Sequence, residues 1–436
     1  MTSTTPEPGA ATVAKVTRRL VPFLFMLYVV CFLDRINVSF AALQMNRDLG
    51  LSAAAYGLGT GIFFIGYALF EVPSNIILAR VGARRWIARI AITWGLLSAS
   101  MMYVEGPRSF YVLRFLLGVA EAGFFPGIVY YLGNWFPAPQ RARAISTFMT
   151  AIPIAAVIGG PLSGALLGLN GRLGLAGWRW LFLLEGLPSV ALGIAALWYL
   201  ADRPEDAKWL APDERAWLET TLAEERTHRQ SHHGINLRRM FSHRTVWELG
   251  LLYALGSAGT YGFTFWLPQI LKNVSGSSDF FVGLMSASPN FVAAIAMVAI
   301  AAHSDRTGER CVHIAACSLV AAAGFLVSAY VASPLFALLG LSLAAIGING
   351  RYGPFWALPT LFLGEEAAAG GIALINSLGA LAGFVAPYTI GIVYDVTGSF
   401  QDGLLFLALL LMASAYLALR LSYRSVLQPV GALAHD

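Results

Sequence analysis

The sequence predicts an all-α membrane protein in which twelve transmembrane helices form two pseudo-symmetric bundles of six, and three observations support this fold. Of the 436 residues, 57% are hydrophobic and 12% are charged, whereas a soluble domain carries about 25% charged residues. Apolar stretches long enough to cross a bilayer, about 20 residues each, recur about twelve times. A short basic motif also appears once in each half of the chain. This composition excludes a soluble enzyme, a nucleic-acid-binding protein and a disordered scaffold.

The twelve apolar stretches divide into two sets of six. The N-terminal fifteen residues are polar and lack a signal-peptide pattern, so we expect the first stretch to remain as a span. Glycine and proline inside the stretches are tolerated because neighbouring helices satisfy the freed backbone groups. The first six lie near 20–40, 56–78, 86–104, 110–133, 143–167 and 179–200, and the second six near 246–271, 282–303, 312–332, 334–362, 370–394 and 403–422.

A long hydrophilic segment, residues 201–245, separates the two sets and carries eight basic and eight acidic residues. We expect it to be a cytoplasmic linker between an N-terminal bundle (1–200) and a C-terminal bundle (246–436). Its middle, from Pro212, has the pattern of a capped surface helix. The linker histidines could hold a metal by their spacing, but they lack a second ligand set, and we expect solvated side chains at His228, His232 and His233.

The basic residues are distributed unequally between the two sides of the membrane. With a cytoplasmic N-terminus, 21 Lys and Arg residues fall in cytoplasmic segments and five in external loops, as expected from the enrichment of basic residues on the inside. This predicts a multi-pass protein of the inner (cytoplasmic) membrane with both termini in the cytoplasm. It also accounts for the isoelectric point of about 9.1 without any nucleic-acid partner.

The two halves contain an internal repeat. The pattern R-x-G-x-R begins at Arg80 after the second span and again at Arg306 after the eighth, an offset of 226 residues. Pro161 in span five and Pro387 in span eleven show the same offset. Matches at equivalent places in two six-span halves indicate a duplication, which is typical of transporters.

The repeated basic turn resembles the signature loop of the major facilitator superfamily. The first copy has Ala79 where an acidic residue is usual, and the second keeps Asp305 before Arg306. Further motifs resemble the anion:cation symporter branch, and especially the bacterial tartrate, phthalate and 4-hydroxyphenylacetate permeases, over residues 20–425. These motifs are Asp34-Arg35-Ile36-Asn37, Phe70–Asn75, Arg114–Pro126, Tyr261–Pro268, Gly353–Pro359 and Ile375-Asn376-Ser377.

The resemblance implies a proton-coupled symporter that imports a small organic carboxylate, such as tartrate or a related hydroxy or aromatic acid, by alternating access. It implies no enzymatic activity and no cofactor, with protons as the coupling ion and a monomer in the lipid bilayer. An organic-anion exchanger or exporter on the same fold remains an alternative. The sequence has no Walker motif, so the energy is expected to come from a gradient.

Spans one and four each carry an acidic and a basic residue. Charges are costly at mid-bilayer, about 2.5–3.5 kcal/mol each, and therefore suggest function. Asp34 and Arg35 are neighbours in span one. Arg114 and Glu121 in span four are seven residues apart, so they lie on one helix face. We expect a compact, nearly neutral cluster with one acid-base pair on each helix.

The four charged residues of the cluster have different expected roles. The planar guanidinium of Arg35 matches a carboxylate, so it is our candidate for binding the substrate. The resemblance assigns proton coupling to Asp34 and Glu121, since a carboxylic acid in a low-dielectric cavity can be neutral near pH 7. Arg114 is expected to pair with whichever acid is ionised. The alternative is a static salt-bridge network of all four residues.

Other side chains are candidates for the cavity or its gates. By resemblance Tyr67, Trp356 and Asn376 line the substrate site, and simple packing is the alternative. Tyr261 belongs to an aromatic cluster in span seven that either shapes the outer gate or packs in the core. We expect the remaining gate residues in the two basic turns, namely Arg80, Asp305 and Arg306.

The remaining polar residues of the spans leave further questions open. Arg351 in span ten either contacts a second carboxylate of a dicarboxylate substrate or pairs with backbone carbonyls or headgroups. Glu71 is expected to bond to the basic turn, and Glu185 to cap or pair locally. We expect packing roles for the cysteines, Cys31, Cys311 and Cys317.

Overall fold

The computed structural model describes residues 8–230, 244–331 and 333–427, with side chains except at 8, 139, 226–230, 360–370, 373 and 424–427. These ranges are almost entirely helical. In chain order the helices are α1 (Pro8–Asp48), α2 (Ala53–Val81), α3 (Ala83–Ser100), α4 (Pro107–Glu121), α5 (Phe124–Gly133), α6 (Ala138–Met149), α7 (Ala151–Leu167), α8 (Gly177–Tyr199), α9 (Pro212–Gln230), α10 (Arg244–Ser275), α11 (Asp279–Thr307), α12 (Cys311–Tyr330), α13 (Pro334–Gly350), α14 (Tyr352–Thr397) and α15 (Phe400–Leu427).

Within the described ranges, ten helical segments are long and apolar enough to cross a membrane, so the predicted count of twelve differs from the observed one. The two predicted spans that do not qualify are α3 and α10, and both pack against other helices, α3 mainly on α8 and α10 mainly on α14. Helix α3 has 18 residues and begins with a cluster of arginines. Glycine, threonine and tyrosine residues dilute the apolar character of α10.

The fourth predicted span is a pair of helices, α4 and α5, rather than one helix. Gly123 separates them with φ +83°, a left-handed conformation that favours glycine. A Cβ at this position would also come within 2.5 Å of the Ser74 hydroxyl. The break leaves Glu121 as the last residue of α4.

The bundle has two ends, which we name by their residues. The linker end carries the start of α1, the turn between α2 and α3, and helix α9. The far end carries the turns near residues 49–52, 168–176 and 276–278. Helix α9 docks on α1 through an ion pair from Lys15 Nζ to Glu214 Oε2 of 2.6 Å. The predicted boundaries at 200 and 245 remain predictions.

Helices from the two halves contact each other chiefly as α2 on α14, α7 on α11 and α1 on α10. At the far end, a Cβ on Gly160 would overlap the backbone carbonyl of Gly283, so α7 and α11 approach closely there. The backbone N–H groups of Ala53 and Ala54 each donate to the Asp395 carboxylate at 2.9 Å. The far end is therefore closed by contacts between the halves.

The repeated prolines lie at equivalent places in this interface. Pro161 follows Gly160, which meets α11. The carbonyl of Pro387 accepts a hydrogen bond from Trp266 Nε1 at 3.1 Å, and it also lies against Gly57 of α2. Each proline thus lies in a helix of its half that packs on the other half, which is consistent with a duplicated architecture.

Candidate functional site

Asp34 lies on the side of α1 that faces α3 and α8. Consecutive helical residues differ by about 100° in direction, so it does not share partners with Arg35. Its carboxylate accepts hydrogen bonds from Trp94 Nε1 (3.0 Å), Ser98 Oγ (2.7 Å) and Ser189 Oγ (2.5 Å). The residue is 1% exposed. Neutral donors from two other helices therefore solvate this acid.

Arg35 pairs with Glu121, which joins α1 to the end of α4. The guanidinium donates from Nε at 3.0 Å and also from Nη2 to the same carboxylate oxygen. The Cys31 thiol donates to that oxygen at 3.3 Å. The expectation of one acid-base pair on each helix was therefore wrong, because the pair forms between two helices. The two charged residues of α1 bond to different neighbouring helices.

Arg114 is buried but bonds neither acid. It donates to the backbone carbonyls of Gly59 (3.3 Å) and Thr60 (3.4 Å) on α2, and its guanidinium lies 4.9 Å from the centroid of the Phe63 ring. Its predicted pairing with Asp34 or Glu121 is absent from the structure. Seven helical residues, about 10 Å along the axis, separate it from Glu121.

Aromatic rings surround the Arg35 guanidinium. Its central carbon lies 5.6 Å from the Phe63 ring centroid and 5.5 Å from the Tyr67 ring centroid, distances at which a cation is attracted to a ring. Tyr261 of α10 crosses to the first half, where its ring centroid is 4.4 Å from that of Phe64. The structure thus places Tyr67 at Arg35 and Tyr261 in the adjoining wall between the halves.

Glu71 and Asn376 connect α2 with α14, one turn beyond Tyr67. The Asn376 amide donates to Glu71 Oε1 at 3.5 Å. The expectation that Glu71 bonds the basic turn was wrong, since its described partner is on the other half. Trp356, by contrast, packs in an aromatic cluster of the second half, with ring centroids 4.9 Å from Tyr253.

Arg351 lies in the second half, where its described hydrogen bonds go to a backbone carbonyl and a hydroxyl and not to an acid. Its guanidinium donates to the carbonyl of Leu252 at 2.7 Å and to Ser414 Oγ at 3.3 Å. A Cβ on Gly256 would overlap this guanidinium, so the glycine makes room for it against α10. Of the two interpretations of Arg351, the structure shows the carbonyl pairing, and it does not bring Arg351 to Arg35.

The two basic turns obtain their acidic partners differently. In the second turn, Asp305 pairs with Arg310 at 2.6 Å. In the first turn, where Ala79 lacks a charge, Asp202 from beyond α8 accepts a hydrogen bond from the Arg84 backbone N–H at 2.8 Å. The side chains of Arg80 and Arg306 are exposed.

Sequence reasoning missed several of these partners. The hydroxyls around Asp34 and the Cys31 thiol were visible only as small polar interruptions of apolar runs. All three cysteines are buried and free. Among the described residues no group of three His, Cys, Asp or Glu side chains could hold a metal. The linker histidines, His228, His232 and His233, lie outside the residues whose side chains are described.

A family model described as the Major Facilitator Superfamily matches residues 24–387. The chain belongs to this superfamily. Two relatives from Agrobacterium vitis, both named "Putative tartrate transporter", are 53% and 50% identical to it. The first alignment covers 94% of each chain, and the second covers 95% of this chain and 92% of the relative. The protein is therefore a secondary transporter and not an enzyme.

A solved structure shares the fold of this chain. A bacterial homolog of the human lysosomal transporter Spinster, in an inward-facing and occupied conformation, aligns with a TM-score of 0.76 and 17% identity over 96% of this chain and 98% of that one. This similarity establishes the fold of the transporter. Another relative, the quinolone resistance transporter of Acinetobacter baumannii, is 42% identical over 91% of this chain and 92% of its own.

Proposed function

We propose that this transporter is a proton-coupled symporter that imports a small organic carboxylate, such as tartrate or a related hydroxy or aromatic acid, by alternating access. The observation that carries the proposal is the ion pair of Arg35 with Glu121, set among aromatic rings. Arg35 is 15% exposed and Glu121 is 2% exposed. The names of the Agrobacterium vitis relatives support tartrate as the first substrate to test.

Competition for Arg35 supplies the coupling. A guanidinium fork binds a carboxylate well, and in the structure Glu121 occupies it. A proton on Glu121 neutralises its charge and weakens this bond, which frees Arg35 for the carboxylate of the substrate. Proton and substrate then favour the same state, and this mutual dependence is the requirement for coupled transport.

Asp34 is the second proposed proton-coupled acid. Its donors come from α3 and α8, so loss or gain of its charge alters how α1 is held against these two helices. Arg35 is the next residue of α1. A movement of this segment therefore changes the distance between Arg35 and Glu121, which links the proton on Asp34 to the substrate site.

The proposed setting is the inner membrane, with both termini and the linker in the cytoplasm and the transporter acting as a monomer. The excess of basic residues on the linker side supports this orientation. In that orientation the closed far end is the outer side, so the site would exchange with the cytoplasm in this conformation.

The test is uptake of radiolabelled tartrate into proteoliposomes under an inward proton gradient, with unlabelled phthalate, 4-hydroxyphenylacetate and an aldonate as competitors. We expect accumulation that a protonophore abolishes, and the most effective competitor identifies the substrate class. Counterflow without any response to the proton gradient would contradict symport.

The Glu121→Gln variant tests the competition directly. An amide keeps the shape of the side chain but cannot ionise, so we expect substrate binding and counterflow to persist while gradient-driven accumulation is lost. Glu105→Gln, at an exposed position of the far end, is the matched control and is expected to behave as the wild type. Wild-type accumulation by Glu121→Gln would contradict the assigned role.

Export or exchange is the second candidate function, because the Acinetobacter baumannii relative is named for quinolone resistance. The same vesicles decide between the candidates. Anion movement that depends on a counter-anion, and that ignores pH, would favour an exchanger. Outward movement of a preloaded quinolone driven by an inward proton gradient would favour an exporter.

A further inference from the structure

The interface of α1 and α8 contains a second buried acid near Asp34. Glu185 is 4% exposed. Its Oε1 atom accepts a hydrogen bond from Ser163 Oγ of α7 at 2.8 Å. Its Oε2 atom is buried and has no hydrogen-bond partner in the part of the chain that the structure describes. An ionised Glu185 would thus leave a charged oxygen without a donor, which is costly in an apolar bundle.

Helix register places Glu185 and Asp34 in one polar cluster. Glu185 and Ser189 are one turn apart on α8, and Ser189 donates to Asp34 at 2.5 Å. On α1, Asp34 and Asn37 are also close to one turn apart, with the Asn37 amide 3.5 Å from Asp34 Oδ1.

The cluster contains acids without a cation. The charged group that faces Glu185 from α1 is Asp34, because Arg35 is directed to Glu121. The contacts described from α7 and α3 are uncharged, namely Ser163 on Glu185 and Trp94 and Ser98 on Asp34. Two neighbouring carboxyls that lack a counterion share a proton rather than ionise together.

We propose that Glu185 is a proton-binding residue of the transport cycle that receives the proton released by Asp34. In this step the O–H bond at Asp34 breaks, an O–H bond forms at Glu185, and the negative charge moves to Asp34. The cluster keeps one negative charge while α1 moves against α8. The inference deepens the proposed proton coupling and rests on it.

The Glu185→Gln variant separates this role from a structural one. Glutamine imitates a permanently protonated glutamic acid, so a purely structural acid would be replaced without consequence. In pH-dependent infrared difference spectra of the purified transporter in lipid nanodiscs, we expect a carboxylic acid C=O band that titrates and loses intensity in Glu185→Gln. We also expect Asp34→Asn to change the pH range over which the remaining Glu185 band titrates.

A transport measurement gives the second readout. A pH-sensitive dye inside proteoliposomes reports protons moved for each radiolabelled tartrate. We expect Glu185→Gln to lower this ratio severalfold while counterflow at constant pH is retained. Glu105→Gln, the same chemical change at an exposed position of the far end, is the matched control, and its ratio is expected to equal that of the wild type.

Two infrared results would overturn the role of Glu185, and one transport result would contradict the symport on which it rests. A Glu185 band that is unchanged over the whole pH range, or identical spectra for the wild type and Glu185→Gln, would overturn it. A wild type that moves substrate without protons would contradict the proposed symport. The infrared experiment contains no substrate, so it would still show in that case whether Glu185 exchanges its proton.

Discussion

Among the residues that the structure describes, the first half of the transporter buries four charged side chains, whereas the second half buries a single arginine. Within the described residues, the buried charged side chains of the first half are Asp34, Arg114, Glu121 and Glu185, and the second half has Arg351. The halves share a fold and a repeated turn, yet they differ in chemistry. The architecture therefore does not determine which half carries the buried charges.

Equivalent positions show how this difference arises. At the 226-residue offset, Asp34 and Arg35 correspond to Thr260 and Tyr261. Thr260 hydrogen-bonds the Tyr352 hydroxyl at 2.9 Å, and Tyr261 packs on an aromatic ring of the first half. The second half thus uses hydroxyl and aromatic groups where the first uses ions, and it supplies walls for the site.

The largest expected effect follows from Arg35→Gln. This change removes the guanidinium that we propose binds the substrate. It also leaves Glu121 as an uncompensated buried acid, and breaking such a pair costs about 3–5 kcal/mol. We expect binding to weaken by more than about 100-fold. The substrate affinity of the variant is measured from its thermal stabilisation by substrate. An affinity equal to that of the wild type would show that Arg35 does not bind the substrate.

A smaller effect is expected from Gly160→Ala at the closed far end. The added Cβ would overlap the carbonyl of Gly283, and such overpacking typically costs about 1–3 kcal/mol. We expect the population with a closed far end to fall roughly tenfold, as measured by distances between spin labels across that end. Gly133→Ala has room for its Cβ, with Arg141 Nε at 3.9 Å, and is the control.

Arg351→Gln tests the second half. The change removes the guanidinium that donates to the Leu252 carbonyl and to the Ser414 hydroxyl. A buried polar group without a partner costs about 1–3 kcal/mol. We expect a lower melting temperature with unchanged affinity for mono- and dicarboxylates. If affinity falls for dicarboxylates alone, Arg351 binds a second carboxylate of the substrate, and the second half takes part in ion recognition.

The smallest expected effect concerns α9, which docks on the first half. Hydrogen bonds from Lys15 and from the Ala211 backbone N–H lower the pKa of Glu214. Because its pKa is lower in the folded protein, the stabilisation is present above the unfolded pKa, about 4.3, and is lost as pH falls through the lowered value. The pair is solvent-exposed, so it contributes at most about 1 kcal/mol.

Hydrogen exchange of α9 measures this contribution. We expect exchange at pH 7 to increase modestly in Lys15→Ala, and to differ less between variant and wild type at a pH where Glu214 is protonated. Arg18→Ala, at an exposed position on the same helix, is the control. Equal exchange in both variants at pH 7 would indicate that the ion pair does not hold α9.

Much of the site could be predicted from the sequence because charges in apolar runs are conspicuous. Asp34, Arg35 and Glu121 were found in this way, and the structure buries the two acids. Their partners could not be predicted. The Arg35–Glu121 bond joins residues 86 positions apart and the Ser189–Asp34 bond residues 155 apart, and such bonds depend on how neighbouring helices are rotated about their axes.

The sequence by itself determined the membrane class, the approximate spans and the repeated halves, because hydrophobic length and motif spacing are local properties of the chain. The tertiary structure decided which charged side chains form ion pairs. It also decided that Asp202 is the acidic partner of the first basic turn, where Ala79 has no charge, and that Arg351 donates to the Leu252 carbonyl. Since successive helical residues point about 100° apart, a modest change in helix rotation exchanges one partner for another. Packing of the whole bundle sets that rotation.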